Sequence, residues 1–320
     1  MYYSDDAFAA MLLTMALSPN REEYARPFSV QEFRRLEEAV RTSALHSLGR
    51  LLNMDIGGLM MYLGISEEEA YRIFTLLNRS VQLTYGLEGF VKDGIEVVTI
   101  YDEDYPRRLS RKMKHSAPPF FYRCGNKEKL NSPAIAILGI SGVKTTNEVR
   151  DGIETLVRKA VDMGYAIITG GELGVSRVVS GMVMEMGGAL IDVLGGNMTE
   201  HIRFDGIEDM IGQGRCTVLS LEHPDAMFTV SHAISRNKLL FSLADAAFIF
   251  NTDGKRGETD ALQNHYCDWI YAWNGYPANH NLISRGAIPI NDLHKLDMDE
   301  MSRHWNSSRS EQVSMFDLFE

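Results

Sequence analysis

Any chemistry in this sequence has to come from four glycine-bearing turns, each placed directly after a short apolar run. Gly139-Ile140-Ser141-Gly142 follows AIAIL, and Gly170-Gly171-Glu172-Leu173-Gly174 follows YAIIT. Gly195-Gly196-Asn197 follows ALIDVL, and Asp253-Gly254-Lys255-Arg256-Gly257-Glu258-Thr259 follows AAFIF. Glycine at such a turn lets backbone N–H groups approach an anion with no Cβ in the way. One turn of this kind is an ordinary tight turn. Four at successive strand ends point to a groove for an anionic ligand, and Lys255 and Arg256 add positive charge to the last of them. Glu172 and Glu258 sit in two of the turns. Each reads as a general base or as a charge partner of the helix N-terminus that follows, and both readings stay open.

Other chemistries lack their parts. No GxxxxGK[ST] loop, complete dinucleotide fingerprint, HExxH or GxSxG is present. His201, His223, His232, His265 and His280 are scattered, so no metal is expected, and no cofactor. Cys124, Cys216 and Cys267 are far apart and odd in number, which forms neither a disulfide framework nor a CxxC site and fits a reducing cytoplasm. The acidic start, MYYSDDAFAA, is unlike a signal peptide, and no apolar stretch is long enough to span a membrane.

The elements that must carry the turns follow from patterning. Ser29-x-x-Glu32 and Ser66-x-x-Glu69 are capping boxes, and Ala70, Ile73, Phe74 and Leu77 form one apolar face at helical spacing. A small all-helical module over residues 1–92 is expected. From about residue 95, apolar strands alternate with helices, among them one over Asn147–Met163 stopped by Gly164. That alternation predicts an α/β fold with a doubly wound, mostly parallel sheet over residues 93–297, followed by a flexible tail over 298–320. Ligands of such sheets bind at the carboxyl ends of the strands, where the four turns lie.

The charge is unevenly divided. The chain carries 32 Lys and Arg against 43 Asp and Glu, a net −11. Arg107, Arg108, Arg111, Lys112, Lys114, Arg123, Lys127 and Lys129 nonetheless follow one another, interrupted only by Glu128. The stretch reads as a solvated loop or as a phosphate-binding rim. If it meets the turns, with Arg236, Lys238, Lys255 and Arg256, a basic groove forms on an otherwise acidic protein.

Five segments, in order, resemble the DprA/Smf DNA-processing family: Tyr105-Pro106-Arg107-Arg108-Leu109; Pro118-Pro119-Phe120-Phe121-Tyr122; Ala134–Ser141; Ser235-Arg236-Asn237-Lys238, which is similar to the family's RNR motif; and Asn281-Leu282-Ile283-Ser284-Arg285-Gly286-Ala287. The resemblance implies a SAM-like helical module before an extended Rossmann-like domain, without the C-terminal winged helix that many members carry. It further implies binding of single-stranded DNA, assistance in loading the recombinase RecA during uptake, recombination or repair, and a homodimer. In the pocket it implies, Arg236 and Lys238 carry over, with Gly139 and Ser141 as loop backbone; Gly170, Gly171, Asn237 and Gly257 join them as candidate phosphate-binding residues. The family's loop arginine is absent, since Gly142 follows Ser141, and Ser180 stands where a histidine is usual. Through GKRGET the sequence is also similar to LOG-type nucleotide phosphoribohydrolases. A nucleotide sensor, or a phosphoribohydrolase using Glu258 or Glu172, is therefore the alternative. In the tail, Gln312, Met315 and Phe316 resemble the QLxLF-type motif that docks on the sliding clamp.

Overall fold

The structure is a computed structural model that describes residues 3–19, 23–139, 146–171, 174–204, 206–252 and 257–305. Five helices come first: α1 (Asp5–Thr14), α2 (Val30–Thr42), α3 (Ile56–Leu63), α4 (Glu67–Leu77) and α5 (Ser80–Lys92). Both capping boxes form as the sequence predicts, each serine hydroxyl accepting from the third backbone N–H and each glutamate accepting in return. Glu32 does more than cap. Arg72 Nη1 donates to its Oε1 at 2.9 Å and the Ser29 amide to its Oε2 at 2.8 Å, while Arg26 also pairs with it. One carboxylate thus links α2 to α4.

The chain continues through β1 (Ile95–Thr99), α6 (Arg107–Met113), β2 (Phe120–Gly125), β3 (Ala134–Gly139), α7 (Asn147–Asp162), β4 (Ala166–Thr169), α8 (Val175–Glu185) and β5 (Ala189–Leu194). Then come α9 (Met198–His201), α10 (Ile207–Gly212), β6 (Cys216–Ser220), α11 (Val230–Leu243), β7 (Ala246–Asn251), α12 (Glu258–Gln263), β8 (Trp269–Trp273), α13 (His280–Ser284) and β9 (Ile288–Ile290). One nine-stranded sheet results, in the order β1-β2-β6-β5-β4-β3-β7-β8-β9. From β6 to β9 the strands are parallel, and β1 and β2 complete the far edge antiparallel. The expected α/β, doubly wound, mostly parallel fold is observed.

The apolar strands are continuous because both faces are covered. On β3, Ile135 and Ile137 point into one core while Ala134, Ala136 and Leu138 point into the other, the two-residue alternation of a pleated strand. The first core is continuous with the helical module, since Phe33, Leu36 and Leu76 belong to the same cluster as Ile135 and Val218. Polar ties reinforce the junction: Tyr3 Oη donates to the Val97 carbonyl at 3.0 Å and Arg34 Nη2 to that of Ala117 at 2.9 Å. Gly164 ends α7 at φ +77°, a left-handed conformation that favours glycine. β8 and β9 went unpredicted. Residues 298–305, expected to open the flexible tail, are helical and bury Met298 and Trp305, whose indole donates to Tyr271 Oη at 3.2 Å.

All three cysteines are buried and unpaired, and burial pushes the Cys124 and Cys267 thiols up to about 11. Among the described residues no helix is long and apolar enough to cross a membrane.

The Arg72 hydrogen bond, helped by the Ser29 amide, lowers the Glu32 carboxyl from 4.5 to about 2. An acid whose pKa is depressed by folding stabilises in full above its unfolded value and loses that contribution as pH falls through its folded value. Melting temperature should therefore drop between pH 4.5 and 2. Glu32→Gln should be less stable at pH 7 and show a shallower drop across that window; parallel curves for the two proteins would exclude Glu32 as the titrating group.

Candidate functional site

Strand order decides which turns meet. With β5, β4, β3 and β7 adjacent and parallel, their carboxyl ends bring Gly195, Gly170, Gly139 and Asn251 to one edge of the sheet. Gly139 pairs with Asn251 across a register shift, and a Cβ there would overlap Asn251 Oδ1 and Val175. Gly171 is left-handed at φ +65°, and its N–H donates to Thr169 Oγ1 at 3.1 Å. Gly257, at φ +93°, caps the start of α12. These glycines are needed where they stand, by contact or by conformation.

Beneath them runs α11. Arg236 is buried, and its Nη1 donates to the Gly170 carbonyl at 2.6 Å and to the Val193 carbonyl at 2.8 Å. The guanidinium therefore ties the end of β4 to the end of β5. It lies so close that a Cβ on Gly170 would overlap it. Asn237 is buried, and Lys238 pairs with Asp260 of α12 at 3.0 Å. The basic triplet that the sequence singled out is thus a support under the turns, with Lys238 still partly open to solvent. Glu258 is buried as the first residue of α12 and accepts from Thr252 Oγ1 at 2.9 Å, which joins the two sides of the turn that carries Lys255 and Arg256. Ser141, Glu172, Lys255, Arg256, Gln312, Met315 and Phe316 lie outside the described residues.

The basic stretch after residue 107 does not join this edge. Arg108 Nη1 donates to the Leu243 carbonyl at 2.5 Å and Nη2 to that of Ser132 at 3.0 Å, while Lys112 Nζ donates to that of Ala244 at 2.7 Å. Those carbonyls immediately precede β7 and β3, so α6 sits at the amino ends of the strands. A six-residue strand separates it from the turns by about 16–20 Å. The cations are there because the last carbonyls of α11 need donors and carry the negative end of its dipole. Further along, Arg123 is buried against Glu96 and Asp104, and Lys127 also pairs with Asp104. Arg107 and Arg111 are exposed, on the same short helix. Half of the cations in this run, Arg108, Lys112, Arg123 and Lys127, are engaged in structural contacts, and α6 with Arg107 and Arg111 lies at the opposite edge from the turns.

Two residues escaped the sequence reading. Asp192, fully buried on β5, accepts from Thr169 Oγ1 at 2.5 Å and lies 2.9 Å, through Oδ2, from His201 Nε2. His201 had looked like one of several scattered histidines. The available signal was an aspartate inside the otherwise apolar ALIDVL. Among the described residues no three His, Cys, Asp or Glu side chains gather as a metal site.

The family model for DNA recombination-mediator protein A matches residues 96–296. The chain belongs to that family. Its role lies in DNA processing. No curated protein matches the sequence. Among solved structures, DNA processing protein A from Streptococcus pneumoniae is similar at 17% identity and a TM-score of 0.64, covering 93% of this chain and 100% of its own. DNA processing protein A from Helicobacter pylori, solved to explain its single-stranded DNA binding mode, is similar at 20% identity and a TM-score of 0.52, covering 68% of this chain and 98% of its own. At these identities the likeness concerns the fold, including the helices that precede the sheet. The matched residues of this DprA-family chain span β1 to the end of β9 and include the whole glycine edge.

Gly170→Ala should lower stability by about 1–3 kcal/mol in denaturant titrations, because the methyl group can enter only by displacing the Arg236 guanidinium. Gly89→Ala, in α5 with nothing within 4 Å of the added methyl, should raise it by about 0.5–1 kcal/mol. A neutral Gly170→Ala would show that the turn and its arginine are not coupled.

Proposed function

We propose that the chain holds single-stranded DNA along the carboxyl edge of β5, β4, β3 and β7 and passes it to a recombinase, RecA in the bacterial case. The observation that carries this reading is the gathering of Gly195, Gly170, Gly139 and the Gly257 turn on one edge of a DNA-processing fold. A single strand offers phosphates at regular intervals, and a row of backbone N–H groups and α-helix N-termini is the matching surface. The net −11 is compatible with this, since acidic surroundings confine a polyanion to the places where N–H groups and cations outweigh them. The similar Helicobacter pylori protein is one that binds single-stranded DNA. The family's description as a recombination mediator supports the recombinase as recipient. Burial of Glu258 and its bond to Thr252 weigh against Glu258 as the base of the phosphoribohydrolase alternative, which needs a carboxylate facing a glycosidic bond; Glu172, the other candidate, lies outside the described residues.

Oligothymidine should bind with an affinity that falls as salt rises, with a log–log slope of about −0.7 for each phosphate neutralised. Lys255→Glu with Arg256→Glu should weaken binding roughly tenfold or more and flatten that slope. Arg107→Glu with Arg111→Glu, on the opposite edge, should leave both unchanged. The reverse outcome would move the interface to α6, and absence of any binding would overturn the proposal.

The tail is tested separately. A peptide of residues 309–320 should bind purified sliding clamp and lose binding on Gln312→Ala with Phe316→Ala. Failure of the unaltered peptide would remove the clamp as a partner.

A further inference from the structure

Away from the glycine edge, a cavity of about 980 Å³ opens where the helical module meets the sheet. α2 supplies most of its lining. Ser110 of α6 and the 3₁₀ turn Lys114–Ser116 contribute Ser110, Lys114 and His115, and Ile100 and Tyr101 enter from the chain after β1. In the sheet order β1 stands three places from β5, the nearest strand that carries one of the glycine turns. The cavity shares no lining residue with those turns. Its volume is that of a small-ligand site.

The acids of this cavity are already engaged. Glu37 accepts from Tyr101 Oη at 2.6 Å through one oxygen and from Arg34 Nη1 at 2.7 Å through the other. Asp6 accepts from Ser47 Oγ at 2.7 Å and from the Gly49 amide at 2.6 Å. Both oxygens of Glu38 accept from Arg41, at 3.0 and 2.6 Å. The Arg41 hydrogen bonds hold the Glu38 carboxyl below its usual range, and the charge of His115 on the 3₁₀ turn acts in the same direction.

The cations are not engaged in the same way. Among the described residues the side chains of Arg35, Lys114 and His115 make no hydrogen bond or ion pair, and all three are exposed. Arg34 donates from both Nη atoms, yet its Nε is buried and has no partner among the described residues. A buried donor in that state costs free energy that a ligand oxygen can relieve. Lys114 stands at φ +51°, which strains a side chain and suits glycine. A lysine is thus held at this rim against its backbone preference, and such positions gather at functional sites. His46, at φ +59°, lines the same cavity, with Nδ1 3.2 Å from the Arg41 carbonyl.

An anion with several charges matches this arrangement. Guanidinium forks pair with phosphate oxygens, and lysine adds a compact charge. One carboxylate would answer one of these cations, whereas a short chain of phosphates answers several together. With a net charge of −11, the protein repels such an anion from most of its remaining surface.

We propose that this cavity binds a small anion carrying two or more linked phosphates, held by Arg35, Lys114 and His115 with Arg34 contributing its Nε. The inference goes beyond the DNA-binding reading and does not depend on it.

The full chain is titrated in a calorimeter at fixed ionic strength with sodium tripolyphosphate, orthophosphate, adenosine triphosphate and a hexaglutamate peptide. Tripolyphosphate should saturate a single site, bind roughly tenfold or more tighter than orthophosphate, and raise Tm. Arg35→Gln with Lys114→Gln, both at exposed positions, should weaken it roughly tenfold or more and leave the Tm of the free protein unchanged. Arg35→Gln alone, which leaves the Lys114 backbone as it is, should weaken it in the same direction. Oligothymidine should bind all three proteins equally. Adenosine triphosphate binding at least as tightly as tripolyphosphate, and lost in the same variant, assigns a nucleoside triphosphate as the source; weaker binding assigns an inorganic chain. Absence of saturable tripolyphosphate binding, or undiminished binding in the double variant, overturns the site. Loss of oligothymidine binding in that variant makes the cavity part of the DNA interface and overturns it as a separate site. Capture of hexaglutamate in place of tripolyphosphate overturns it in favour of an acidic protein segment.

Discussion

A guanidinium buried under a glycine turn is the contact on which the rest of this edge depends. Arg236 donates to the carbonyls of Gly170, just past the end of β4, and of Val193, near the end of the neighbouring parallel strand β5. Burying a cation is costly unless its hydrogen bonds are met, and bonds from a charged donor are among the stronger ones in a protein. Once that cation is in place, residue 170 has no room for a side chain, and the turn above it is held at a set height. The adjoining Thr169–Asp192–His201 chain does the same for the other side of the strand pair. A buried guanidinium and a buried carboxyl group, each hydrogen-bonded, thereby order the turns that a ligand would meet.

The distribution of cations follows from competition between two demands. Ends of helices and strands need donors for their last carbonyls, and nearby Arg and Lys supply them before any ligand does. Arg108 and Lys112 are consumed in that way at the amino edge, and Arg123 is consumed by Glu96 and Asp104. A run of positive residues in sequence is therefore a poor measure of positive surface. Burial and pairing remove much of it, and what remains depends on which edge of the sheet it reaches.

The helical module belongs to the same physical unit as the sheet. Its apolar faces share a core with β1, β2 and the parallel strands, so the change in pattern near residue 95 marks a change of secondary structure and not a break in packing. The short strands β8 and β9 extend the sheet; β8, Trp269–Trp273, is an apolar run as long as those of the expected strands, whereas β9 has only three residues. Trp269 and Trp273 flank a three-residue buried centre, and β9 holds a proline, Pro289, at its middle, which an edge strand tolerates.

By itself the sequence determined the class of fold, the capping of its first helices and the positions of the glycine turns. All of these depend on local periodicity and on backbone conformations that only a few residue types adopt. Tertiary structure alone decided what those residues touch. It placed the Arg236 guanidinium against the Gly170 and Val193 carbonyls, carried the 107–112 cations to the far edge, and joined Asp192 to His201 across nine positions of chain. The reason is geometric: strand order, set by crossovers that bury both faces of the sheet, fixes which ends are neighbours, and spacing along the chain does not record it.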